Sequence, residues 1–163
     1  MNYTSLKANV EEICEQSFTA DQHALFAQQA EQKIYNSVQF PALRKSDDGP
    51  LTATNKLYTL PSAHLYTYSI SIVSSSTHTF LLNKDVNFIR EAYPVNTSAN
   101  YGVPKFYAYY SDTQIELAPT PDANYELEHV YGFYPTSIVS AATTWLGNNF
   151  DTALLNGTLI EAI

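Results

Sequence analysis

Lys105-Phe106-Tyr107-Ala108-Tyr109, a short turn at Ser111-Asp112, and Gln114-Ile115-Glu116-Leu117-Ala118 read as a tyrosine-rich β-hairpin. Pro119-Thr120-Pro121-Asp122 then turns the chain into a third strand running from Tyr125 to Tyr134. In that strand Tyr125, Leu127, His129, Tyr131 and Phe133 share one face, and Glu126 and Glu128 lie opposite. Alternation of period two is the mark of a half-buried strand. Thr144-Trp145-Leu146 follows, and from Asp151 Leu155, Leu159 and Ala162 recur at helical spacing as far as Ile163. Strands that run into a closing helix set the fold class.

Upstream of the hairpin, the chain opens with two helices. Leu6, Val10, Ile13 and Cys14 form the apolar stripe of the first, with Lys7, Glu11, Glu12 and Glu15 on its other faces. Thr19-Ala20-Asp21-Gln22 is a capping box that starts the second, which runs to about Asn36 with Phe26, Ala30 and Ile34 on one face. The short link predicts an antiparallel pair. Arg44 to Thr54 reads as an exposed connection rich in Ser, Asp, Gly and Pro. Leu57 to Leu60 is a short strand stopped by Pro61. Leu65 to Val73 places Tyr66, Tyr68, Ile70 and Ile72 on one face, and His78 to Leu82 returns as its partner after a polar loop at Ser74 to Thr77. Asp85 caps a short helix ended by Pro94, Val95 to Val103 is loop-like, and Ser137 to Ala142 carries no clear signal. The expectation is an α+β fold: a helical bundle from the N- and C-terminal helices with an inserted antiparallel β-hairpin subdomain. It is read as one domain over residues 1–163, with 1–40 and 143–163 as helical body and 55–135 as β-rich insertion.

The bulk composition narrows the function classes. The 163 residues suit a single domain able to bury roughly 70% of its extended-chain surface. Thirteen tyrosines and only 15% charged residues suit surfaces that become half-buried at interfaces, or equally a plain β-rich core. Sixteen acidic against eight basic residues give a net charge of −8, which argues against phosphate-gripping DNA binding. Cys14 has no second cysteine to pair with and reads as a small core residue. No apolar run reaches the ~18 residues of a membrane span, and no secretory signal pattern opens the chain. It is expected to be made in the cytoplasm.

Candidate chemistry is sparse. His23, His64, His78 and His129 lie at no metal-ligand spacing from one another or from Cys14. His129 reads as a packed, hydrogen-bonded histidine rather than a catalytic one. Glu126 and Glu128 are one strand face of acids, which is commoner at a solvent-facing edge than as a glycosidase pair. Ser74 to Ser76 lacks the glycines of a nucleophile elbow, and the five glycines form no phosphate loop. Neither a catalytic residue, a metal nor a cofactor is expected. Tyrosine-rich strands also bind sugars by stacking, so a carbohydrate-binding β-rich module is the rival reading.

Several motifs, in order, carry a family resemblance. They are Ala30-Glu31-Gln32-Lys33-Ile34, Tyr58-Thr59-Leu60-Pro61, Pro104-Lys105-Phe106-Tyr107-Ala108, and Ile115-Glu116-Leu117-Ala118-Pro119-Thr120-Pro121-Asp122. Tyr125-Glu126-Leu127, Thr144-Trp145-Leu146, Leu154-Leu155-Asn156-Gly157 and Glu161-Ala162 complete the set. Taken together, the chain resembles the head-to-tail adaptor (connector) proteins of tailed bacteriophages, of the short-tailed type. Adaptors of this kind usually carry a longer terminal helical part than the one that ends here at Ile163.

The resemblance implies a structural, non-enzymatic protein of the virion neck between capsid and tail. It implies a ring of about twelve copies that joins the portal protein to the tail nozzle or tube protein. Genomic DNA would pass through without sequence-specific binding, and no membrane is involved. Tyr66, Tyr68, Tyr107, Tyr109, Tyr110, Tyr131 and Tyr134 are then candidate interface residues, of which at least half are expected to pack the subunit's own core. Twelve copies at −8 each would carry roughly −96, a wall that repels DNA phosphates and lets the genome slide. Another head-completion or tail structural protein is the alternative within virions.

Overall fold

The computed structural model describes residues 1–74 and 77–163, so Ser75 and Ser76, the centre of the loop expected after Ser74, lie outside the described residues. In chain order the first elements are α1 (Tyr3–Cys14), α2 (Ala20–Ser37), β1 (Arg44–Leu51), β2 (Leu57–Thr59), β3 (Tyr66–Ser74), β4 (Thr77–Phe80) and β5 (Leu82–Asn83). Then follow α3 (Val86–Ala92), β6 (Phe106–Tyr109), β7 (Gln114–Ala118), β8 (Tyr125–Gly132), α4 (Ile138–Ala141), α5 (Trp145–Asn149) and α6 (Asp151–Ala162). The protein is a mixed α+β chain that divides into two compact units. One is Met1–Leu43 with Tyr134–Ile163, and the other is Arg44–Phe133.

The first unit is helical, and its helix starts are written in side chains. Asn2 caps α1 by accepting from Ser5 N at 2.8 Å. Thr19 and Gln22 form the reciprocal capping box of α2, at 2.8 and 3.3 Å. Thr144 caps α5 by accepting from Gly147 N at 3.1 Å. Leu6, Val10, Ala27, Tyr35, Leu43, Ile138, Leu146 and Leu154 make one core. Cys14 is half-buried against it, whereas Ile13, expected on the same stripe, is exposed. At the α2–α6 crossing Gly157 allows close approach, since a Cβ there would lie 3.3 Å from Ala30 Cβ. The buried side chains of α6 are Leu154 and Thr158, with the expected stripe of Leu155, Leu159 and Ala162 at the margin of the core. Thr158 can be buried because its hydroxyl donates to Leu154 O at 2.8 Å, a bond internal to the helix.

Glu31 is a buried acid in this unit. Its Oε1 accepts from Ile138 N at 2.9 Å, at the start of α4. Burial pushes its carboxyl above the usual range, against the opposing pull of the Ser137 and Ile138 hydrogen bonds. The native state therefore holds the Glu31 proton to higher pH than the unfolded chain does, and its stability falls as pH rises through that raised value. Glu31→Gln keeps an acceptor for Ile138 N without the charge. It is expected to stabilise the protein by up to about 1 kcal/mol at pH 8 and to lose that advantage below the ordinary glutamate range. Urea melts at pH 8 and pH 4 check the difference.

The second unit is built from two four-stranded sheets, ordered β1-β8-β3-β4 and β2-β7-β6-β5. All pairings are antiparallel except the short β5–β6 pair. The inner faces share one core of Leu51, Leu60, Ile70, Ile72, Leu81, Tyr107, Ile115, Leu117 and Leu127. Arg44 to Leu51, expected as a connection, is instead a strand paired residue for residue with β8. Its Lys45, Asp47, Asp48 and Pro50 suit an exposed sheet edge, and that composition disguises it as loop. The Asp85 cap is present, accepting from Asn87 N at 2.8 Å.

A β-bulge reassigns the faces of β3. Thr67 pairs with Tyr131 and Ser69 with Val130, so Tyr68 is the extra residue. Thr67, Ile70 and Ile72 therefore point inward, opposite Tyr131, His129 and Leu127, and the tyrosines do not share the face of the isoleucines.

Candidate assembly surfaces

The bulge delivers Tyr66 and Tyr68 to the outer face of their sheet, where Gly132 lies opposite Tyr66. A Cβ at Gly132 would sit 2.5 Å from the Tyr66 ring, so the missing side chain makes room for the aromatic. The two tyrosine rings meet edge-on at 5.1 Å and their hydroxyls are 3.1 Å apart. Arg44, the first residue of β1 on the other side of β8, places its guanidinium 4.2 Å from the Tyr68 ring centre. The Tyr66 hydrogen bond and then Arg44 hold the Tyr68 hydroxyl below the usual tyrosine range. The result is an exposed aromatic and cationic patch made by three strands.

The other expected interface tyrosines fall into two groups. Tyr131 is fully buried and Tyr107 nearly so, and both pack this subunit's own interior. Tyr109, Tyr110 and Tyr134 are exposed. Tyr109 accepts from Thr67 N at 3.1 Å and stands 6.2 Å from the Tyr107 ring. Tyr134 lies in the helical unit, with its hydroxyl bonded to Asn36 Oδ1 and its ring 6.4 Å from Tyr35. Tyr66, Tyr68 and Tyr109 belong to one unit and Tyr134 to the other.

Sequence reading passed over a second surface, on the helical unit. Val38, Phe40, Phe150, Ala153 and Ile160 line a groove of about 440 Å³ beside Gly157, and its rim carries the Lys33–Glu161 ion pair at 2.6 Å. Phe40, Trp145 and Phe150 form a ring cluster with centroids 5.2 to 5.8 Å apart. Trp145, Phe150 and Ile160 are nonetheless 40, 45 and 72% exposed. Large apolar side chains held together in water in this way mark a contact surface. The only signal in the sequence is that Val38, Phe40, Trp145 and Phe150 flank helix ends and Ile160 falls outside the expected stripe of α6.

Among the described residues no group of three or more His, Cys, Asp or Glu is placed to hold a metal ion. None of the described helices is long and apolar enough to cross a membrane. Two histidines do meet in the β unit: Thr67 Oγ1 lies 3.0 Å from His64 Nε2 and 2.9 Å from His129 Nε2. His129 is fully buried, and burial first, then the charge of His64, lowers its pKa to about 4. It serves as a neutral, packed residue within the sheet.

No curated protein matches the chain. The family described as SU10 adaptor protein matches residues 1–163, in agreement with the resemblance to phage head-to-tail adaptors carried by the motifs. With a match over its entire length and exposed aromatic surfaces on both of its units, this chain belongs to the SU10 adaptor protein family, a family of phage structural proteins.

Proposed function

We propose that this adaptor forms a ring of about twelve copies in the virion neck, joining the portal to the tail and letting the genome pass. The observation that carries the reading is the family match over residues 1–163. Two further features support it. Exposed aromatic residues with few charges suit a repeated heterologous contact, which closes into a ring when the rotation between copies allows. An excess of eight negative charges per copy suits a channel that must not grip DNA.

In this reading residues 1–40 and 143–163 are the helical body of the adaptor and 55–135 its β-rich insertion. The helical body docks on the portal through the groove beside Phe150 and Ile160. The insertion faces the tail nozzle or tube protein and the neighbouring copies through Tyr66, Tyr68, Tyr109 and Tyr110. Mass measurement of the purified chain, alone and mixed with its portal protein, tests this, with electron microscopy of any assembly. A closed ring on the portal is expected. Phe150→Asp, at a half-exposed position, should leave the fold intact and weaken portal association at least about tenfold. A chain that stays monomeric, ignores the portal and binds glycans in a sugar screen would reverse the reading.

A further inference from the structure

Strand order puts β1 and β2 at one lateral edge of the β unit and β4 and β5 at the other. The β4–β5 edge is open. β4, Thr77-His78-Thr79-Phe80, is exposed at every residue and carries no Lys, Asp, Glu or Pro, the residues with which edge strands refuse other chains. Leu81 N donates to Ile70 O at 2.8 Å, so Leu81, Thr79 and Thr77 turn their backbone groups to β3. Those of His78 and Phe80 point out of the sheet. Large apolar side chains gather here: Phe80 and Leu82 are 64 and 60% exposed, and the exposed Phe88 packs on Phe106, the partner of Leu82. Lys84 lies 5.3 Å over the Phe88 ring, and Lys105 O accepts from Leu82 N at 3.0 Å. Both lysines are exposed, and among the described residues neither has a carboxylate within ion-pair distance. Asp85, the acid next to Lys84, is occupied in capping α3.

The β1 edge is opposite in sign. With Ile70 and Ile72 turned to β4, Ser71 meets Glu128 of β8, and Leu127 and His129 turn the other way, to β1. Gly49 and Asp47 receive them, which leaves the backbone groups of Ser46 and Asp48 facing out. Pro50 faces out as well, where its missing N–H takes nothing from the sheet. Asp48, Gly49, Pro50, Leu51, Tyr125 and Glu126 line a cleft of about 320 Å³ beside this edge. Asp48 and Glu126 are exposed and, among the described residues, have no cation within ion-pair distance. Asp48 also stands directly across from Glu128, a like charge that a cation from outside would relieve.

We propose that the β4–β5 edge docks on the β1 edge of a second copy of this chain, so that the β1-β8-β3-β4 sheet continues across the boundary between copies. Lys84 and Lys105 would face the neighbour's Asp48 and Glu126, with the Phe80 ring against the wall of the neighbour's cleft. Charge selects this pairing. Two β4–β5 edges would set lysine against lysine and two β1 edges aspartate against aspartate, and only the mixed pair joins opposite signs. The two edges lie on opposite sides of the unit, so the contact is head-to-tail and repeats from copy to copy, as a closed ring requires. This pairing rests on the ring reading above and names the surfaces through which neighbours in it meet.

Two charge-reversed variants of the intact chain test it, each altered only at exposed positions: Lys84→Asp with Lys105→Asp, and Asp48→Lys with Glu126→Lys. Sedimentation velocity reads their self-association, alone and with the portal protein. Each variant by itself sets like charges together at every contact and is expected to assemble at least about tenfold more weakly than the unaltered chain. An equimolar mixture restores opposite charges at every contact of an alternating ring and should regain assembly to within about threefold. A single chain carrying all four reversals should do the same. A ring that forms undiminished from either variant alone overturns the edge pairing and leaves the ring reading standing, as does failure of both the mixture and the fourfold variant to regain assembly. An unaltered chain that stays monomeric even with its portal protein ends both.

Discussion

Replacing Leu127 by alanine is expected to cost about 3–5 kcal/mol, the upper part of the range for buried leucines. Leu127 is fully buried on β8, in the core shared by both sheets of the β unit. What sets the magnitude is how little the surroundings can close over the gap. β8 is laddered to β1 on one side and to β3 on the other, with Leu127 paired to Gly49 and Ile72. Its backbone cannot shift inward without breaking two sets of hydrogen bonds, so most of the cavity stays open. Against a typical total of roughly 5–15 kcal/mol, the loss should move the urea midpoint far while leaving the slope nearly unchanged. Ile163→Ala is the control: that side chain is 98% exposed and its truncation should be silent. A Leu127→Ala midpoint shift worth less than about 1 kcal/mol would mean that the two sheets are not packed as described.

How far the sequence could be read follows from which interactions are local. Thr19-Ala20-Asp21-Gln22 and Asp85 announce helix starts because the atoms that satisfy the first amides lie within three residues of them. Ser111-Asp112 marks a hairpin for the same reason, and β6 and β7 pair around it. Sheet order is not local. Nothing in Arg44-Lys45-Ser46-Asp47-Asp48-Gly49-Pro50-Leu51 says that β8, some eighty residues later, will fix it as a strand, because edge strands carry the charges and proline that also make loops.

The bulge at Tyr68 is the sharper lesson for the candidate surface. Strict alternation puts Tyr66 and Tyr68 with Ile70 and Ile72, and one inserted residue turns the pair outward to meet Arg44. Among the seven tyrosines singled out, Tyr107 and Tyr131 were taken by the subunit's own interior, which alternation alone cannot distinguish from an interface. The groove beside Phe150 escaped because Val38, Phe40, Trp145 and Phe150 sit at helix ends, where periodicity has no purchase. Family motifs spread along the whole chain carried more of the functional reading than any one site did.

The second large effect is a loss of stability in acid that runs through one histidine. Thr67 has a single hydroxyl hydrogen and stands between His129 Nε2 at 2.9 Å and His64 Nε2 at 3.0 Å. At most one of the two imidazoles can therefore accept from it, and the other donates. His129 Nδ1 is buried and has no partner among the described residues, so a proton there would be an unsatisfied donor. The cheaper arrangement has His129 donate from Nε2 and leave Nδ1 bare, with Thr67 donating to His64. Protonating His129 would force a second hydrogen onto Nδ1, with His64 nearby, its own pKa lowered by burial. Asp47 pulls the other way, too weakly to restore an ordinary value, and the pKa falls to about 4. In the unfolded chain the same group titrates near 6.5, so between those values the unfolded state binds a proton that the native state refuses. Stability conferred by neutral His129 is therefore complete above about pH 6.5 and is lost as the pH falls toward 4, by up to about 3 kcal/mol in all. His129→Gln keeps a donor for Thr67 and cannot be charged. Its unfolding free energy, followed by urea melts from pH 7.5 to pH 4, should fall about one proton less steeply than that of the unaltered chain. Parallel slopes in the two proteins would show that His129 is not the group that acid attacks.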